Sequence, residues 1–188
     1  DRAGGGDGRI LRIHQEDFNQ VLGASANQKY QRYGGLVSLH RISDVLKSHT
    51  PDAELRRLAR MVVLAVGLGN LDMHTKNIGL LHPADGETVL APAYDVVPQT
   101  HLPSGGELAL AINRKYRHAN ITADDLESEF ASWGLRRAPR LIDETLTELH
   151  ASVAEEKPLD GAHANLQSDL LTFIDNLSAG RAAGANTH

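Results

Sequence analysis

The feature that most constrains this chain is one helical stripe. Between residues 52 and 66, Leu55, Leu58, Ala59, Val62, Val63 and Val66 recur at the three- and four-residue spacing of a helix face. Toward its end the segment Met61-Val62-Val63-Leu64-Ala65-Val66 is apolar nearly all round. A helix of that kind has no face fit for water, so other elements must surround it. It is expected to be the central buried helix. Asp52 reads as its N-cap, with Thr50 or Pro51 as other starting points, and Gly67 and Gly69 stop it. The apolar run is far too short to span a bilayer, and no membrane contact is expected.

The elements around it read as mainly helical. Ser38 caps a helix to about residue 47. Thr122 caps one to about residue 133, with Asp125 completing a capping box. Longer helices follow over residues 137–156 and 161–177, and a short one over 15–22 ends at Gly23. Residues 9–14 read as a strand after the glycine-rich turn of residues 4–8, whose spacing fits no phosphate loop. Residues 77–81 and 88–90 read as strands of a hairpin, with turn residues 83–86 between them. Residues 24–35, with Gly34-Gly35 as a turn, and 102–107, with Ser104-Gly105-Gly106, read as loops; 108–112 is a short apolar run. The fold class is therefore mainly α with a small β-hairpin. At 188 residues and 41% hydrophobic, the chain makes one domain or one large lobe. Residues 179–188 are small and polar and are expected to form a disordered tail.

Several chemistries are disfavoured. A net charge of −5 argues against broad binding to nucleic acid or anionic membrane. Arg136, Arg137 and Arg140 read as a solvated face at a helix start. With no cysteine there is no disulfide or thiolate metal site, which fits a reducing cytoplasm. The ten histidines show no zinc-like clustering in sequence and read as surface or satisfied residues. There is no serine nucleophile elbow.

What remains is the polar loop hung from the end of the buried helix. In Gly69-Asn70-Leu71-Asp72-Met73-His74-Thr75-Lys76-Asn77, Asp72 and Asn77 stand five positions apart, and Asp95 follows the returning strand in Ala93-Tyr94-Asp95. The hairpin goes out and comes back, which places Asp95 at the same end as the loop. An Asp, an Asn and a second Asp in that order suit phosphoryl transfer from a magnesium nucleotide. Asp72 would orient the attacking hydroxyl. Asn77, through its amide oxygen, and Asp95 would hold Mg²⁺, which prefers hard oxygen ligands. Lys76 and His74 would contact phosphate or substrate, or else steady the loop.

These residues resemble a known family. Arg12-Ile13-His14-Gln15-Glu16-Asp17-Phe18, Lys29-Tyr30, Gly34-Gly35, the Asp72 loop, and Leu90-Ala91-Pro92-Ala93-Tyr94-Asp95 occur in the order and approximate spacing of the HipA family of bacterial serine/threonine kinase toxins. Leu108-Ala109-Leu110-Ala111-Ile112 is similar to the segment that follows. The likeness covers most of residues 1–135, most specifically around Asp72 and Asp95. It implies a protein-kinase-like C-lobe over residues 1–178. It implies Asp72 as catalytic base, His74, Thr75, Lys76 and Asn77 as the nucleotide- and metal-contacting loop, and Tyr94 and Asp95 as the ATP and Mg²⁺ site. It also implies a protein serine or threonine as acceptor, an aminoacyl-tRNA synthetase being one known type. The implied partner is a HipB-like DNA-binding antitoxin, with nucleic acid reached indirectly through it.

The family's N-terminal lobe, with its phosphate loop and ATP-binding lysine, is expected to precede residue 1, so this chain alone is expected to be inactive. Two other readings use the same residues: a non-catalytic pseudokinase or antitoxin-binding module, and a small-molecule kinase of the aminoglycoside or choline type.

Overall fold

The computed structural model describes residues 2–4, 10–25, 28–34, 36–84, 86–103 and 105–185. Most of the glycine-rich turn (residues 5–8), Gly35, Ser104 and the last three residues, 186–188, lie outside them, so the expectations made there have no structural counterpart.

β1 (Arg2–Gly4) and β2 (Ile10–Arg12) pair antiparallel, and β3 (His14–Asp17) starts after Ile13. The expected single strand over 9–14 is thus two strands. α1 (Phe18–Val21) is a single turn. The helix expected over 15–22 therefore loses its first three residues to β3. The reason is a partner remote in sequence: β4 (Gly79–His82) pairs antiparallel with β3, setting Gln15 opposite Leu81 and Glu16 opposite Leu80. Asp17 marks the switch. Its carboxylate accepts from the Gln20 backbone N–H at 2.9 Å, and Gln20 Oε1 accepts from the Asp17 backbone N–H at 3.1 Å, a closed capping box.

α2 (Leu39–His49) begins at the Ser38 cap, and α3 (Asp52–Gly67) at Pro51. β5 (Val89–Leu90) returns antiparallel to β4, so the expected hairpin is present, enlarged by β3 to a three-stranded sheet. β6 (Glu107–Ile112) pairs with β7 (Lys115–Arg117), which makes the apolar run at 108–112 a strand. α4 (Ala123–Ser132) carries the Thr122–Asp125 capping box, and α5 (Ala138–Glu155) follows. α6 (Leu166–Ser178) starts five residues later than expected; Gly161 lies at φ +88° and the chain turns again before Asn165.

α3 is the centre that its stripe demands. Leu58, Ala59, Val62, Val63 and Val66 are fully buried, and α2, α5 and α6 pack around it. Each such leucine or valine contributes about 1.5–3 kcal/mol over exposure. The scarce aromatics are used at one place, where Phe130 and Trp133 meet at 4.9 Å between ring centroids under α4.

Two polar ties anchor the sheet and the chain end. Glu54 on α3 is buried, and its Oε2 accepts from the Leu90 N–H at 2.7 Å and from Arg57 at 2.8 Å. Glu54→Ala leaves the Leu90 N–H buried without a partner. It is expected to cost about 2 kcal/mol in urea unfolding, with Glu54→Gln costing less. Beyond α6 the expected tail is instead docked as far as residue 185. Ala183 is fully buried, donates its N–H to Ile121 O at 2.8 Å, and accepts at its carbonyl from Asn176 at 3.1 Å. Small residues permit this close approach, which composition alone had made look like fraying.

Candidate active site

The end of α3 sets the geometry. The Gly69 N–H donates to Val66 O at 3.2 Å and the Asn70 N–H to Ala65 O at 2.8 Å, the paired bonds of a Schellman stop. The stop requires the left-handed conformation that Gly69 adopts at φ +61°. The emerging backbone is then tied on both sides. Gly69 O accepts from the Gln99 N–H, and Leu71 O from the Ala109 N–H. The buried Asn70 side chain accepts from the Asp72 N–H at 3.2 Å, which turns the chain outward at Asp72.

Asp72, Asn77 and Asp95 come together, and Asn77 is the joint. Its side-chain N–H groups donate to the Asp72 backbone oxygen at 3.0 Å and to Asp95 Oδ2 at 3.1 Å. These acceptors fix the amide orientation and leave its oxygen as the lone-pair end. Asp95 is exposed and sits at φ +54°, a left-handed conformation uncommon outside glycine. Strain of this kind concentrates at functional positions. The Asn77 oxygen and the Asp95 carboxylate are hard donors held at one place, so they suit magnesium. Asp72 is partly exposed, and Tyr30 donates its hydroxyl to Asp72 Oδ1 at 2.9 Å. A cleft of about 390 Å³ opens beside it, bounded by Tyr30, Leu71, Gln99 and Leu108.

The other expected contacts divide. Tyr94 is half-buried and donates its hydroxyl to Lys76 O at 2.8 Å, tying the Asp95 arm to the loop. Burial raises its phenol above the ordinary value. Lys76 is partly exposed. His74 and Thr75, expected at the nucleotide, instead face the protein. Thr75 is fully buried and its hydroxyl donates to Asn19 Oδ1 at 2.9 Å. His74 is 5% exposed, and its Nε2 meets Lys29 Nζ at 2.8 Å and lies 3.8 Å from Asp72 Oδ2. An ammonium can only donate, so Nε2 is the accepting nitrogen and the ring proton lies on Nδ1. That Nδ1 is buried and has no hydrogen-bond partner. Asn19, Asn70 and Tyr30 thus build the site without having been assigned a role from sequence. Only Tyr30 carried a signal, as part of a motif.

Burial lowers the His74 imidazole below its ordinary value of 6.5; Asp72 opposes this, and Lys29 and Lys76 reinforce it. Burial likewise lowers His118, whose Nε2–H donates to Val66 O at 2.7 Å in the last turn of α3. Below about pH 6.5 the unfolded chain takes up these protons while the folded chain resists them, so stability falls as pH drops. The expected result is a melting temperature that declines from about pH 7 to about pH 5, before carboxylates titrate. His118→Asn should flatten that slope. A flat wild-type profile over this range would contradict the burial of neutral imidazoles.

The geometry defines a class: the helical lobe of a kinase-like fold, with an acidic site at the mouth of a hairpin. Comparison with known proteins agrees. A family model described as HipA-like C-terminal domain matches residues 1–156, and the chain belongs to that family. A Sinorhizobium fredii protein named "Putative kinase Y4mE" is 31% identical over 97% of this chain and 44% of its own length. The serine/threonine-protein kinase toxin HipA of Shewanella oneidensis is 29% identical over 77% of this chain and 35% of its own. A solved Shewanella oneidensis complex of HipA, HipB and operator DNA matches in fold, with a TM-score of 0.75 at 24% identity over 95% of this chain and 46% of that one. The chain therefore spans less than half the length of these relatives. Among the described residues no helix is long and apolar enough to cross a membrane.

Proposed function

We propose that this chain is the catalytic lobe of an ATP-dependent serine/threonine-protein kinase, the toxin of a cytoplasmic toxin–antitoxin pair. One observation carries the reading: the Asn77 amide joins the backbone of Asp72 to the carboxylate of Asp95. The base and the metal ligands then move as one unit, as in-line phosphoryl transfer requires.

Tyr30 holds Oδ1 of Asp72, and Oδ2 is the atom assigned to the substrate hydroxyl. Asp72 orients that hydroxyl and accepts its proton as the γ-phosphoryl group of ATP is transferred. Asn77 and Asp95 would hold Mg²⁺, which when bound neutralises charge on the phosphates. Lys76, at the rim of the loop, would reach phosphate, and Tyr94 fixes the loop against the Asp95 arm. His74 and Thr75 act by position, through Lys29 and Asn19. The cleft beside Asp72 would admit an extended protein segment, with an aminoacyl-tRNA synthetase among the acceptors the family resemblance implies. A HipB-like DNA-binding antitoxin is the proposed partner, by analogy with the Shewanella oneidensis complex.

The acceptor class is tested by incubating the full-length protein with γ-labelled ATP, Mg²⁺ and a cell extract. Label on protein serine or threonine is expected. Label on a metabolite alone would replace this reading with a small-molecule kinase.

A further inference from the structure

The β3–β4 pairing gathers residues that the proposed kinase chemistry does not use. His14 and His82 stand directly opposite each other in the register, and Glu16 lies two residues along on the same face of β3. Their rings are 5.4 Å apart between centroids and tilted by 30°. His82 Nε2 lies 2.9 Å from Glu16 Oε2, and ligand atoms of all three residues fall within 4.8 Å of one another. His14 is exposed and the other two partly so, so the group is open to solvent.

We propose that His14, Glu16 and His82 form a metal site for a zinc-type divalent cation, separate from Asn77 and Asp95. Two imidazoles and one carboxylate are a donor set that zinc accepts, with a fourth position left for water. Bonds of about 2.0–2.2 Å place tetrahedral donors ~3.4 Å apart. The site closes from its observed spread by side-chain rotation, since exposed His14 is free to turn. Imidazole donors select zinc, copper or nickel over magnesium, so the two sites differ in kind. His82 is already oriented from behind, with Nδ1 3.1 Å from Thr88 Oγ1, the type of outer support that metal-binding histidines use.

The site is also placed to matter. The same two strands end at Asp17 opposite Gly79, beside the caps and ties of the Asp72 loop. A cation at His14 and His82 would brace that pairing from its far end.

The test uses tag-free, full-length protein, titrated calorimetrically with Zn²⁺ and spectroscopically with Co²⁺. Saturable binding of Zn²⁺ is expected, with the intense visible bands of four-coordinate Co²⁺ and a rise in melting temperature on adding Zn²⁺. His14→Ala, His82→Ala and Glu16→Gln should each weaken Zn²⁺ at least tenfold, Thr88→Val up to about tenfold. His163→Ala, which removes one member of the stacked His101–His163 pair, should leave the titration unchanged. Absence of binding, a wholly six-coordinate Co²⁺ spectrum, or Zn²⁺ affinity unaltered in the His14 and His82 variants would overturn the site. Because His14 is exposed, its variant is expected to keep the wild-type circular dichroism. The readouts do not depend on kinase activity.

Discussion

Asp72→Ala is expected to lower phosphotransfer by the full-length protein by about 10²–10⁴-fold, the usual contribution of a positioned general base. Saturation with ATP should not restore the rate, because the lost group faces the attacking hydroxyl. The variant should still fold. Asp72 is partly exposed, and the loop is held through backbone atoms: Asp72 O accepts from Asn77, and the Asp72 N–H donates to Asn70. Asp72→Asn keeps the Tyr30 contact possible but cannot accept a proton, so it should be nearly as slow. Tyr30→Phe should cost much less. An Asp72→Ala enzyme with wild-type turnover would remove Asp72 from the mechanism.

The second large effect concerns folding. Gly69→Ala is expected to destabilise the protein by about 2–5 kcal/mol, measured by urea unfolding. Two costs combine. A left-handed alanine costs about 1–2 kcal/mol, and crowding a packed site costs about 1–3 kcal/mol. The crowding is specific: a Cβ at Gly69 meets Thr100 Cγ2 at 2.7 Å and Phe173 Cε2 at 3.3 Å. Gly67 is the control. A Cβ there meets Leu149 Cδ2 at 2.7 Å, but that is the tip of a flexible side chain, and residue 67 is helical. The helix gain of about 1 kcal/mol from alanine offsets part of the contact, so Gly67→Ala should be much milder. Equal effects at the two positions would show that crowding alone, without the left-handed turn, governs the end of α3.

The parts of this molecule legible in its sequence are the local ones. α3 was readable because its stripe repeats over four turns, and its end because glycines follow it. The Asp72 loop and Asp95 were readable because a hairpin between them has recognisable turn residues. What could not be read depends on partners distant in the chain. Gln15 and Glu16 look helical until β4, more than sixty positions away, offers them a strand edge. His74 and Thr75 look like site residues in a polar loop; only Lys29 and Asn19, folded beneath it, turn them inward. His14 and His82 are sixty-eight positions apart, so no spacing rule could pair them. Ala183 looks like part of a frayed end, yet it fills a gap beside Ile121 that no composition reveals.

The most direct measurement compares Mg²⁺-dependent transfer from γ-labelled ATP to protein serine or threonine by full-length wild type and by Asp95→Ala. Asp95 is exposed, so the variant tests the metal ligand with little effect on the core. The account expects label with the wild type, its loss when Mg²⁺ is removed, and a drop of about 10²–10³-fold or more in the variant. Equal transfer by the two proteins, or none by either, would contradict a phosphoryl-transfer site built from Asp72, Asn77 and Asp95.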